Sequence, residues 1–172
     1  MATNYTIDKS HTHVTFSISH FMIAKVRGSF KEFSGTVVTP DDDMEGAQLA
    51  LSIEAGSLDT NDVTRDGHLK TADFFNTVEF PLITYKSSKF VKRSGKDFDV
   101  EGVLNVNGIE KELPVKASFD GTFEHPVSKH TIAVFNVTAD IPRKDFGIGL
   151  NYPSAVLGDV VKLESTVELI KE

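Results

Sequence analysis

The residues with the greatest potential for chemistry lie together in one short segment, Thr64-Arg65-Asp66-Gly67-His68-Leu69. Histidine is a common general acid or base in proteins, so an acid–base role for His68 beside Arg65 and Asp66 is one interpretation. We favour a second, in which the charged residues cap a helix and form salt bridges that fix the segment in place, because paired charges are often structural. In a third, Arg65 and His68, together with Arg143, bind the polar or pyrophosphate head group of a ligand.

Other residue combinations that resemble metal or catalytic sites lack the partners that such sites need. His11 and His13 share one face of a predicted strand, but a stable zinc site needs three or four ligands. We therefore assign no metal site and expect exposed or hydrogen-bonded imidazoles. Asp145-Phe146-Gly147 matches the kinase metal motif in letters only, because no Gly-rich phosphate loop accompanies it. A nucleophile elbow is also absent, so we predict no catalytic residue and no enzyme.

The composition excludes several classes of function. The 172 residues carry a net charge of −7, which argues against a nucleic-acid partner because phosphate binding needs clustered Lys and Arg. The absence of Cys excludes thiol catalysis, disulfides and thiolate metal sites. No apolar run reaches transmembrane length. The first residues lack the basic and apolar regions of a signal peptide, so we expect a cytoplasmic protein, or a periplasmic one if an export signal was removed.

The elements that must position these residues are mostly β-strands, because apolar and polar side chains alternate along most of the chain. Ala47 to Ala55 and Phe98 to Val106 show this period of two clearly. Asn107-Gly108 is the strongest short signal for a β-hairpin. A stretch near residues 60–76 does not alternate, and there we predict a short helical insert with Val63 to Thr71 as its helix.

About eight strands joined mostly by short turns predict one all-β domain over residues 1–172, an antiparallel up-and-down barrel whose end the helical insert closes. Such a barrel either fills with side chains or holds one ligand. Small inward residues would leave space: Ala47, Ala55, Gly102, Ala117, Ala133 and Ala139. The predicted apolar lining of the cavity is Phe16, Ile18, Phe21, Phe30, Phe33, Leu49, Leu51, Phe74, Phe75, Leu104, Phe119, Phe135 and Phe146.

Ordered blocks over nearly the whole chain resemble the YceI-like family. They are Asp8, Ser10-His11, Val14-x-Phe16, Gly28-Ser29-Phe30, the segment from Thr64 to Leu69, Asp73-Phe74-Phe75, Phe80-Pro81, Gly102 to Gly108 and Arg143-x-Asp145-Phe146-Gly147. The resemblance implies a lipocalin-like β-barrel that binds polyisoprenoids or related long-chain lipids. Asn105 stands where the family pattern has Thr. The absence of Trp argues against a true lipocalin, which would carry a Gly-x-Trp motif.

The barrel pattern and the resemblance together predict a protein that binds a long-chain apolar ligand, such as a polyisoprenoid or an isoprenoid quinone. The ligand would occupy the barrel interior for transport, storage or sequestration. No cofactor is expected apart from this bound lipid, and a homodimer is left open. Two alternatives remain: a non-catalytic interaction module with a vestigial cavity, and, with less support, an enzyme that acts on a lipid-like substrate through His68 or His20.

Overall fold

The computed structural model describes residues 1–172 and contains twelve β-strands and one short α-helix. The helix, α1, spans Val63–Leu69. The strands are β1 (Thr3–Ile7), β2 (His13–His20), β3 (Ala24–Phe30), β4 (Phe33–Thr39), β5 (Gln48–Glu54), β6 (Leu58–Asp59), β7 (Leu82–Ser94), β8 (Asp97–Val106), β9 (Ile109–Glu112), β10 (Val115–Glu124), β11 (Thr131–Pro142) and β12 (Val160–Lys171). Short 3₁₀ turns occupy Ala55–Ser57 and Arg143–Phe146.

Eight of the strands close into an antiparallel barrel in the order β1-β4-β5-β7-β8-β10-β11-β12, and β12 pairs back with β1. β2 pairs with the first half of β12 and β1 with its last residues, so β1 and β2 are successive stretches of one wall. β3 pairs with β2, and this hairpin extends the wall at one end of the barrel. The predicted all-β antiparallel barrel of about eight strands is confirmed.

The strands form because their side chains alternate between a dry interior and water. Along β8, Phe98, Val100, Leu104 and Val106 are buried, while Glu101 between them is exposed. Asn107 and Gly108 follow with left-handed φ values of 56° and 70°, the backbone that a tight hairpin to β9 requires. The inward side chains of all eight strands merge into one core cluster of 27 buried residues.

The non-alternating insert lies between β6 and β7, as the sequence predicts. Its helix ends at Leu69, before the predicted Thr71, and begins where the Asp62 carboxylate accepts a 3.0 Å hydrogen bond from the Arg65 amide. Leu69 and Phe75 pack against the core cluster, so the insert covers one end of the barrel. Neither α1 nor the 3₁₀ turns are long and apolar enough to cross a membrane.

Candidate ligand-binding cavity

A narrow cavity of about 170 Å³ runs inside the barrel. It is lined by 29 residues, of which 26 are hydrophobic, and the polar ones are Thr12, Thr84 and Ser165. Val100 and Val106 both lie against it, so it extends for about 20 Å along β8. This small volume spread over such a length matches the shape of a hydrocarbon chain better than that of a fused ring.

The lining carries no charge at neutral pH. Its one ionisable side chain is Tyr85, whose hydroxyl donates a 3.0 Å hydrogen bond to the Leu113 carbonyl. Burial raises the pKa of Tyr85 to about 12, so the phenol stays neutral. The cavity therefore holds no group that could act as a general acid or base near neutral pH, and a charged ligand group buried there would be unpaired.

Two glycines allow aromatic rings to reach their positions in the lining. A Cβ atom on Gly28 would lie 2.5 Å from Cζ of Phe16, and one on Gly102 would lie 2.6 Å from the Tyr85 ring. Phe16 packs on Phe30 with ring centroids 5.3 Å apart, and Phe30 meets Phe75 edge to face at 5.8 Å. These rings connect the barrel wall to the helical insert, since Phe75 belongs to the insert.

Arg143 organises the segment between β11 and β12 that covers the same end of the barrel. Its side chain is fully buried, and its guanidinium donates to five backbone carbonyls. Those carbonyls belong to Ile148, Gly149, Tyr152, Leu157 and Gly158. Because every donor direction of the fork is occupied, Arg143 holds the loop together and has no N–H directed at the cavity.

The insert and the loop after β11 are joined into one unit, which we call the cap (residues 60–81 and 143–159). The Asn107 side-chain amide donates to the Phe74 carbonyl at 2.7 Å and to the Phe146 carbonyl at 2.9 Å. The Gly149 amide donates to the Asp73 carbonyl at 2.7 Å. The Phe74 and Tyr152 rings pack with their centroids 5.4 Å apart. The cap is thus tied to the β8–β9 hairpin and to itself.

The geometry around Arg65 and Asp66 agrees with the capping interpretation of that segment. The Asp66 carboxylate accepts hydrogen bonds from the Thr60 amide at 2.9 Å and from its hydroxyl at 2.6 Å. The Arg65 guanidinium donates to the Thr60 hydroxyl at 2.8 Å and carbonyl at 2.6 Å. His68 is 48% exposed, 3.5 Å from Asp73, and its ring meets Phe74 edge to face at 5.1 Å. Neither Arg65 nor His68 lines the cavity.

The structure places seven of the thirteen predicted lining residues against the cavity: Phe16, Phe30, Leu49, Leu51, Phe75, Leu104 and Phe135. Of the predicted small residues, Ala117 alone lines it. Most of the other lining positions are aliphatic, such as Ile83, Leu113 and Val167. Alternation on β7 and β12 already marks Ile83 and Val167 as inward, so a prediction weighted less towards Phe would have included them.

The remaining six predicted residues, Ile18, Phe21, Phe33, Phe74, Phe119 and Phe146, lie away from the cavity for identifiable reasons. Phe74 and Phe146 are buried in the cap, and Phe33 is buried in the core cluster outside the cavity. Phe119 pairs across β10 and β11 with the lining residue Phe135 and stacks on its ring, with ring centroids 4.9 Å apart, but does not itself line the cavity. Ile18 shares the face of Phe16 but lies beyond the cavity, and Phe21 is exposed at the turn between β2 and β3.

His11 pairs with carboxylates and not with His13. Its Nδ1 lies 2.8 Å from Asp8 and 3.9 Å from Glu168, and the ligand atoms of all three residues lie within 4.8 Å of one another. The hydrogen bond to Asp8 raises the pKa of His11. Burial acts to raise the pKa of Asp8, but hydrogen bonds from His11 and Ser10 lower it overall. This arrangement joins the end of β1 to β12 as a hydrogen-bonded ion pair.

Sequence comparison relates the chain to a known domain family. Residues 5–169 match the family model of the YceI-like domain. A UPF0312 protein of Staphylococcus aureus (strain MSSA476) is 34% identical over 170 residues, and the alignment covers 96% of each chain.

Solved structures share the fold. The YCEI protein of Campylobacter jejuni is 28% identical with a TM-score of 0.80, and 96% of each chain is covered. Burkholderia cenocepacia BcnA has a TM-score of 0.84 at 20% identity, covering 94% of this chain and 98% of that one. A polyisoprenoid binding domain from Saccharophagus degradans, implicated in plant cell wall breakdown, has a TM-score of 0.74 at 16% identity, covering 98% of each chain.

Proposed function

The chain belongs to the YceI-like family, and on that basis we propose that its barrel binds one long-chain apolar ligand for transport, storage or sequestration. The observation that carries the proposal is the uncharged, almost wholly hydrophobic cavity along the barrel. A polyisoprenoid, an isoprenoid quinone or a similar lipid has the required shape and polarity. The likeness in fold to a polyisoprenoid binding domain supports this ligand class.

The size of the cavity implies that a long ligand must widen it. An engineered protein cavity of about 150 Å³ holds one benzene molecule, and the cavity here is of similar volume at about 170 Å³. We therefore propose that uptake displaces lining side chains. Phe75 is the first candidate to move, because it is half-buried and is carried by the insert and not by the barrel wall.

The energetics favour a ligand with a long chain. Each buried methylene contributes about 0.8 kcal/mol, and association costs at least about 4 kcal/mol. Micromolar affinity corresponds to roughly 8 kcal/mol, so about fifteen methylene equivalents must be buried. That requirement exceeds what the cavity holds before it widens, and it excludes short volatile ligands as tight binders.

We propose that the buried part of the ligand is neutral, because the lining contains no charged side chain. The head-group roles of Arg65, His68 and Arg143 remain predictions. Arg143 is the weakest of the three, since its donors are directed at backbone carbonyls. If Arg65 contacts a head group, Arg65→Ala should weaken a prenyl pyrophosphate more than the matching prenyl hydrocarbon, and equal losses for both ligands would refute the assignment.

Native mass spectrometry of the purified protein, followed by organic extraction, tests the proposal directly. We expect a co-purified long-chain lipid at one molecule per chain. Delipidated protein should then bind a series of prenyl alcohols with affinity that rises with chain length. Protein that is empty as isolated and takes up neither prenyl alcohols nor quinones would overturn the proposal and favour the interaction module.

We further propose that the protein binds and does not turn over its ligand. The hydroxyls of Thr12, Thr84 and Ser165 have no imidazole or carboxylate beside them in the lining, so no activated nucleophile faces the cavity. A ligand recovered chemically unchanged after long incubation is the expected result. The homodimer and the cytoplasmic location stay predictions, to be measured by light scattering after size exclusion and by cell fractionation.

A further inference from the structure

The turn between β2 and β3 exposes three consecutive apolar side chains. Phe21, Met22 and Ile23 are 58%, 77% and 95% exposed, and we call them the hairpin tip. The Phe21 ring packs on the neighbouring His20 ring, with ring centroids 4.3 Å apart. None of the three hairpin-tip side chains belongs to the core cluster. Single exposed apolar residues are ordinary on protein surfaces, but a contiguous run at a projecting turn marks an interaction site.

The backbone of the hairpin tip is strained by the residues that occupy it. Phe21 and Met22 have left-handed φ values of 51° and 65°, which residues with a Cβ atom avoid. Asn107 and Gly108 adopt nearly the same pair of values, 56° and 70°, with residue types suited to them. The chain thus places bulky apolar residues where Asn-Gly would be favourable, although none of these side chains joins the core cluster.

The hairpin tip is held rigidly against the cap. The Phe21 amide donates to the Val156 carbonyl at 2.9 Å, and the Gly158 amide donates to the Ser19 carbonyl at 2.9 Å. His20 also forms a β-bridge with Leu157. The tip therefore projects from the capped end of the barrel in a defined orientation.

Basic side chains flank the tip although the chain as a whole is acidic. Lys25 and Arg27 are exposed on the outer face of β3, and neither forms an ion pair. Two free cations beside an apolar turn are complementary to the anionic head groups and the hydrocarbon of a lipid surface.

An apolar face leads from the cavity towards the tip. Phe16 on β2 lines the cavity, and Ile18, two residues closer to the tip, lies on the same face of the strand. Ile18 pairs across the hairpin with Val26, and both are half-buried. The inner face of the hairpin is therefore apolar from the cavity as far as Ile18 and Val26, and His20 follows on the same face next to the turn.

We propose that the hairpin tip inserts into an anionic lipid surface, with Lys25 and Arg27 contacting the head groups. The three side chains offer roughly 400 Å², about half of what each partner contributes to a stable protein interface. A lipid surface needs no such area and tolerates any ring orientation. This docking does not depend on the cavity holding a lipid, and it would place the apolar face of the hairpin at the membrane.

Vesicle flotation with the full chain tests the proposal. The test variant is Phe21→Asn with Met22→Gly, which restores the residue types of the other hairpin turn. We expect the wild type to float with vesicles of phosphatidylcholine and phosphatidylglycerol, and the double variant to bind at least about tenfold more weakly. Its Tm should rise by roughly 4 °C or more because the left-handed strain is removed, so weaker binding cannot result from unfolding.

Two further variants sharpen the result. Val127→Asn alters an equally exposed apolar residue, 85% exposed, in the loop between β10 and β11 and should bind vesicles as the wild type does. Lys25→Glu should weaken binding to vesicles with phosphatidylglycerol and leave binding to phosphatidylcholine alone unchanged.

Three results would overturn the proposal: wild type that does not float, a double variant that floats equally well, or a Val127→Asn variant that loses binding to the same extent. A wild type that ignores vesicles but self-associates through the tip would identify a second copy of the chain as the partner instead. Uptake of a prenyl alcohol from detergent, measured in the double variant, should remain normal. That readout separates failure of docking from failure of the cavity to bind.

Discussion

Ala117→Leu should fill part of the cavity with protein and thereby stabilise the empty barrel while weakening ligand uptake. Ala117 lies on β10, pairs with Phe98 on β8 and Val137 on β11, and lines the cavity. Ala133 on β11 is the matched control, because it is fully buried but does not line the cavity. The same substitution is therefore made once towards empty space and once into packed core.

The cavity volume sets the scale of the effect. At about 24 cal/mol per Å³, a void of this size costs the empty fold about 4 kcal/mol. The three carbons that Leu adds contribute about 2.4 kcal/mol, from which about 0.5–1 kcal/mol of side-chain entropy is subtracted. The net gain of about 1.5–2 kcal/mol should raise the Tm of the delipidated protein by about 3–8 °C.

The same three carbons occupy space that the ligand would otherwise fill. Losing about 2.4 kcal/mol of ligand burial should weaken prenyl alcohol binding by about 50-fold. Ala133→Leu should instead destabilise the protein by about 1–3 kcal/mol, because overpacking forces strain on its neighbours. Calorimetry of the delipidated variants measures the changes in stability, and displacement of a fluorescent apolar probe measures the loss of prenyl alcohol affinity.

The reasoning fails if Ala117→Leu destabilises the protein as much as Ala133→Leu does. It also fails if Ala117→Leu leaves prenyl alcohol affinity unchanged, because the ligand would then lie elsewhere. A gain in Tm without loss of uptake would show that the ligand avoids the part of the barrel next to Ala117.

Three further predictions concern the cap, the lining and the His11 pair. Arg143→Lys should lower the free energy of unfolding by about 3 kcal/mol or more in urea titrations, because a single ammonium leaves several buried carbonyls unpaired. A loss below about 1 kcal/mol would contradict the conclusion that Arg143 holds the loop between β11 and β12 together. Gly28→Ala should cost about 1–3 kcal/mol, since its Cβ atom would lie 2.5 Å from the Phe16 ring, whereas Gly67→Ala, with open space around it, should cost nothing. The raised pKa of His11 means that its pairing stabilises the fold below the unfolded pKa of about 6.5 and that this contribution is lost as pH rises through the raised value. The stability difference between wild type and His11→Gln should therefore shrink between about pH 6 and pH 8, and a difference that does not change with pH would refute the assignment.

Local pattern was sufficient to predict the strands and the position of the insert. The alternation from Phe98 to Val106 determines which side chains face inward, because the period of a strand is fixed by its geometry. Asn107-Gly108 marked its hairpin, and the positive φ values of both residues show why those two types occur there. The helix was predicted two residues too long, since nothing local distinguishes its last turn from the turn that follows.

The contacts of individual side chains were harder to predict from the sequence. The sequence shows the charge of Arg143 but not the backbone carbonyls to which its guanidinium donates, and its head-group role stays a prediction. Phe21 follows an alternating strand just as Phe30 ends one, yet one is exposed at a turn and the other is buried. The difference depends on where the chain reverses, which is decided by pairing between β2 and β3.

The closed antiparallel barrel, its helical insert and the YceI-like family could all be predicted from the sequence, because they follow from short-range periodicity and ordered motifs. The narrow, uncharged cavity in the interior became visible only when the strands and the cap were packed together. Ala117 and Ala133 lie on equally apolar strand faces, but Ala117 borders empty space and Ala133 does not. The volume of a cavity depends on how side chains from every strand and from the cap pack against one another, and no local segment of sequence contains that information.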